Sequence, residues 1–68
     1  MEKFAKRLKE LRKERKLSQA ALALETGLTQ SAVASWEVLT NVPNAEAIIV
    51  LAKFFGVTTD YLLGLEDE

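Results

Sequence analysis

Short apolar runs, each opened by a hydroxyl or amide side chain and most of them closed by a glycine, constrain this chain more than anything else in it. Ser18 precedes "QAALALETG", Thr29 precedes "QSAVASWE", Pro43 and Asn44 precede "AEAIIVLAKFF", and Thr58 or Thr59 precedes "DYLL". A side-chain oxygen at such a position accepts a hydrogen bond from amides that the first helical turn leaves unpaired. Gly27, Gly56 and Gly64 stand just past the runs, where a helix most readily turns left-handed and stops. Ahead of these segments, "EKFAKRLKELRKERK" spaces Phe4, Leu8 and Leu11 at helical intervals with charges on the remaining faces.

The pattern predicts helices over 2–15, 19–26, 30–38, 45–55 and 59–63, with a frayed tail at 65–68. No stretch alternates with period two, and neither a repeat nor a linker interrupts the chain. The expected fold is all-α, a compact five-helix bundle in one domain spanning 1–68. A chain this short buries only about 60% of its extended surface, so no second core can form. Val33 and Trp36 are core candidates in the third helix, as are Ile48, Leu51, Ala52 and Phe55 in the fourth. The second and third helices are separated by about three residues around Gly27, the spacing of a helix-turn-helix.

Composition removes several classes of function. His and Cys are absent, and there is neither a glycine-rich phosphate loop nor a pair of carboxylates on one rigid helix face, so no enzyme is expected. The same absences leave no metal site, cofactor or small-molecule ligand to expect. No apolar run approaches the roughly 18 residues of a membrane span, and no secretory leader is recognisable, which makes the cytoplasm the default compartment.

The net charge of −1 hides an asymmetry. Residues 1–16 hold eight of the nine basic side chains and sum to +5, whereas 17–68 sum to −6. A basic block of this kind is either a phosphate-binding footprint or a solvated helix face.

"RLKELRKERKLSQAALA", "TGLTQSAVASWE" and "LAKFFGVTTDYLLG" resemble the lambda-repressor-like helix-turn-helix domains of phage and bacterial transcription regulators, over nearly the whole chain. The resemblance implies a third helix lying in the DNA major groove and a two-fold dimer straddling two half-sites. It places Gln19 on a backbone phosphate and Thr29, Gln30, Ser31 and Ser35 toward DNA, with Gln30 suited to an adenine edge. It also implies an ion pair between Arg12 and Glu37. Lys9, Arg12 and Lys13 would hold phosphates, and Val33 or Ala34 would meet a thymine methyl.

The chain departs from that family where cations are normally found. No lysine or arginine occurs from Leu17 through Ala52, and the segment after the third helix reads "VLTNV". Apolar residues stand at positions that the register places outside: Leu24, Ala34, Val38, Leu39, Val42, and a second stripe of Ala47, Val50 and Phe54 on the fourth helix. Seven alanines between residues 20 and 47 suit close helix approach, as strong divergence or redesign would produce. A merged apolar patch of several hundred square ångströms marks a protein interface. The leading expectation is therefore association through this face, with a protein partner or most simply as a homo-oligomer, and the alternative is a repressor that binds duplex DNA. A third arrangement has Val38, Leu39 and Val42 folded back over a thin core.

Overall fold

The computed structural model describes residues 1–67. Five helices follow in the order α1 (Glu2–Glu14), α2 (Gln19–Thr26), α3 (Gln30–Glu37), α4 (Ala45–Phe55) and α5 (Thr59–Leu63). Among the described residues there is no strand. The helices end within a residue of the sequence expectation; Arg15 and Val38, expected inside α1 and α3, serve instead as their C-caps.

Each helix begins where the sequence supplies an oxygen. The side chains of Ser18, Thr29, Asn44 and Thr58 accept from the amides of Ala21, Ala32, Ala47 and Tyr61 at 2.9, 3.1, 2.8 and 2.9 Å. Gly27 closes α2 at φ +74°, a conformation that costs an L side chain about 1 kcal/mol. The next residue, Leu28, then donates its amide back to Ala23. Three residues, 27–29, thus join two eight-residue helices, and α2 lies directly against α3.

Helices of eight residues are too short to persist alone, so the core must hold them. Phe4, Leu8, Leu22, Val33, Leu51 and Leu62 are fully buried and come from all five helices. Phe4 of α1 meets Trp36 of α3 edge to face, with centroids 6.3 Å apart.

On α4 the apolar residues do not form the outer stripe that the sequence suggests. Ala47 is buried, because it shares a face with Leu51 and Phe55 at i, i+4 and i+8. Phe54 is half-buried against the core, edge-on to Phe55 at 5.1 Å, with the Arg15 guanidinium 5.0 Å above its ring. Only Val50 remains outside from that stripe, joined by Ile49.

The tail also differs from the frayed expectation as far as it is described. Leu65 donates its amide to Asp60, Arg7 donates to the carbonyls of Tyr61 and Glu66, and the Thr58 hydroxyl meets the Glu66 carboxylate. Arg7 also stacks 4.2 Å over the Tyr61 ring. Glu68, the last residue of the expected tail, lies outside the described residues. These contacts close α5 onto α1.

Gly64, at φ +84°, sits under Lys3, and a Cβ there would fall 2.5 Å from the Lys3 Cβ. Gly64→Ala is expected to destabilise by roughly 2–3 kcal/mol, from clash and left-handed strain together. Gly27→Ala meets no neighbour within 4 Å and should lose only the strain, about 1 kcal/mol. Urea titrations of the two variants check the order; equal losses would mean that the α1–α5 contact does not limit this position.

Candidate nucleic-acid interface

The outward side of α3 is set by what its inward side buries. Val33 and Trp36 face the core, so 100° steps put Ser31, Ala34, Ser35 and Val38 opposite, with Gln30 on the flank of the first turn. Gln30 and Ser31 are exposed, Ala34 and Ser35 half-buried, and Val38 is 65% exposed. Thr29, expected to face DNA, is exposed while its hydroxyl oxygen caps the helix. Val33 is fully buried, whereas the Ala34 methyl is half-buried on the outward side.

Beneath this face a polar cluster fixes the helix. Arg12 Nε and Nη2 donate to the two carboxylate oxygens of Glu37 at 2.8 and 2.9 Å. The remaining Arg12 nitrogen, Nη1, donates to the Leu17 carbonyl at 2.8 Å, and Gln19 Nε2 donates to Glu37 Oε1 at 3.2 Å. The pair is nearly dry, with side chains 10% and 3% exposed. Burial alone would raise the Glu37 carboxyl. The hydrogen bonds from Arg12 and Gln19, with the charges of Arg12 and Lys9, outweigh it and hold the group below the ordinary carboxylate range. The hydrogen bond to Glu37 likewise raises Arg12, against burial.

Three N–H groups of Arg12 are thus engaged inside the fold, one on each carboxylate oxygen of Glu37 and one on the Leu17 carbonyl. Gln19 is half-buried with one amide hydrogen on Glu37. Its partner was not foreseen, because the contact joins residues 18 apart through a fold that spacing alone does not specify. Lys9 and Lys13 are exposed on α1 as expected.

The loop after α3 is apolar and outside. Val38, Leu39 and Val42 are 65, 51 and 66% exposed, so the loop does not fold back over the core, and Leu24 of α2 is 83% exposed. Leu39 also holds φ +66°, a left-handed conformation unusual for leucine. Between this loop and α3 runs an open cleft of about 430 Å³, edged by Thr29, Ser35 and Asn41 with Ala32 and Val42. Among the described residues no helix is long and apolar enough to cross a membrane, and no three His, Cys, Asp or Glu gather as a metal site would require.

Residues 8–62 match the helix-turn-helix family, four-fifths of the chain and all of the α2–turn–α3 unit. The chain belongs to that family. Helix-turn-helix relatives include the HTH-type transcriptional regulator YobD of Bacillus subtilis, 34% identical over 96% of this chain and 58% of its own. The HTH-type transcriptional activator BcrR of Enterococcus faecalis is 36% identical over 94% of this chain and 31% of its own. Repressor protein C2 of Salmonella phage P22 is 36% identical over 88% of this chain and 28% of its own. This chain thus spans well under two thirds of the length of these relatives. A crystal structure of the P22 c2 repressor with a synthetic operator superposes with a TM-score of 0.81 at 34% identity, covering 87% of this chain and 89% of that one. The lambda-repressor-like resemblance and the five-helix fold both hold, and these helix-turn-helix relatives are transcription regulators.

Stability contributed by Glu37 is present above the ordinary glutamate range, near pH ~4.3. It is lost as pH falls through the lowered folded value. Glu37→Gln should be less stable at neutral pH by about 3 kcal/mol, since it leaves Arg12 buried without a counter-charge. It should also show a shallower decline below pH ~4.3 in chemical denaturation. Parallel acid limbs in the two proteins would remove the pair as a source of stability.

Proposed function

We propose that this helix-turn-helix domain is a transcription regulator that binds duplex DNA through α3, acting in the cytoplasm. One observation carries the reading. The outer side of α3 presents Gln30, Ser31, Ala34 and Ser35 from the second helix of the helix-turn-helix, and the similar P22 c2 repressor was solved with a synthetic operator. Gln19, at the first position of α2, keeps one amide hydrogen for a phosphate.

The cations available to such a complex are few. Arg12 pairs internally, Arg15 stacks over Phe54 and Phe55, and Lys3, Lys6 and Arg7 line a cleft with Tyr61 near α5. Lys9 and Lys13 of α1 and Lys16 just past its end remain exposed, with Lys9 close enough for its charge to act on Glu37. Each neutralised phosphate adds about −0.9 to the slope of log K against log salt.

A second reading is self-association through the loop after α3, and the exposed Val38, Leu39 and Val42 favour it. Three exposed apolar side chains side by side gain from burial, at about 25 cal/mol per Å². The occupant of that reading is a second copy of this chain.

Duplex binding measured by fluorescence anisotropy across a salt series should give a slope no steeper than about −3 per chain, and Lys9→Gln should make it shallower by about one. Absence of binding to any duplex at low salt would remove the DNA reading. Light scattering at micromolar concentration tests the second reading: a dimer that Leu39→Glu dissociates with its helices intact supports it, and a monomer throughout removes it.

A further inference from the structure

We propose that the cleft between α3 and the loop after it binds a small organic carboxylate, whose charge is taken by the Trp36 indole N–H and the start of α4. Trp36 is only 7% exposed and lines this cleft. Its indole nitrogen has no acceptor among the described residues, yet no buried side-chain nitrogen or oxygen among them lacks a partner. The N–H is therefore open to solvent, and the cleft is the opening that Trp36 lines. An indole N–H can only donate, so what it lacks is an acceptor from outside the fold.

Other donors border the same space. Asn44 lines the cleft, and its Oδ1 accepts from the Ala47 amide, which leaves its own NH2 group to donate. Asn44 also caps α4, an eleven-residue helix whose first amides, at Ala45 and Glu46, have no intrahelical acceptor. Such a helix start attracts negative charge. No acidic or basic residue lines the cleft, and Glu46 is exposed on α4 outside it. A single negative charge entering there meets no carboxylate in the wall.

Leu28, Ala32, Val42 and Ala47 make the walls apolar, and the volume of about 430 Å³ is that of a small-molecule pocket. Donors beside apolar walls fit a carboxylate carried on an apolar body. Inorganic phosphate gains nothing from such walls and brings more charge than a site without a cation neutralises. The sequence gives no sign of this site, because its lining is drawn from residues between Gly27 and Ala47 that only the fold brings together. Thr29 and Ser35 edge the cleft, so an occupant sits at the rim of the surface proposed to meet DNA. Its binding needs no duplex and is measurable without one.

Trp36 is the only tryptophan, so its indole gives a single N–H signal in proton–nitrogen NMR of the full chain. Benzoate, benzamide and inorganic phosphate are titrated separately. Benzoate should shift that signal saturably in the millimolar range, and benzamide should bind roughly fivefold more weakly, the effect of a charge at a helix start. Val42→Lys should tighten benzoate binding and Val42→Asp weaken it; Val42 is 66% exposed, so neither change disturbs the core. Equal affinity for benzoate and benzamide, a shift that never saturates, phosphate binding as tightly as benzoate, or indifference to both Val42 variants would each overturn the inference.

Discussion

Arg12 reaches from α1 to Glu37 at the end of α3 with two parallel hydrogen bonds, and its remaining nitrogen holds the carbonyl of Leu17 at the turn into α2. Three helices are thereby tied at one point, and two of them are eight residues long. Helices of that length have little intrinsic stability, so their orientation comes from what they pack against. The apolar core supplies most of the burial, but packing of alanine and leucine alone is compatible with small slides and rotations. A bidentate pair has one geometry. It specifies which residues of α3 end up outside, and Gln19 joins the same carboxylate from α2.

The same pair shapes the electrostatics of the outer face. An arginine of α1 that would otherwise count toward phosphate attraction is cancelled within the fold, and no lysine or arginine stands from Leu17 through Ala52. Phosphate attraction is independent of sequence, so a face with few cations loses non-specific affinity along with specific affinity. In the proposed complex with DNA, hydrogen bonds to base edges would carry what remains, and these depend on the base. Low charge therefore favours discrimination at the expense of absolute strength. Two linked half-sites can restore that strength through effective concentration without adding a single contact.

Much of this was legible in the sequence where the governing chemistry is local. Ser18, Thr29, Asn44 and Thr58 act within three residues of themselves, so their caps and the helix starts follow from neighbours alone. Val33 and Trp36 follow from periodicity and are buried as expected. Ala47 and Phe54 do not, because an apolar stripe wider than the core stripe can turn either edge inward, and the angle at which α4 meets the rest decides which. Gln19 could be placed on α2, but its bond to Glu37 depends on how α3 crosses below it. The anchoring of Leu65 and Glu66 by Asp60 and Arg7 was likewise hidden, since a short acidic tail carries no pattern that names its partner.

Leu39 connects the two readings of this surface. A leucine at φ +66° costs on the order of 1–2 kcal/mol that glycine would not, and half of its side chain is left in water. Val38 lies on the α3 stripe shared with Ser31, so a protein that buried Val38 would cover the base-facing residues and compete with DNA. Leu39 and Val42 lie beyond the end of that helix, and Val42 shares the cleft with Thr29 and Ser35. Whether a second copy would oppose or assist the proposed DNA reading thus turns on Val38 and Val42 together. Association that buries Leu39 and spares that cleft would link two copies of the proposed reading helix, and effective concentration would then offset the affinity that the missing cations do not provide.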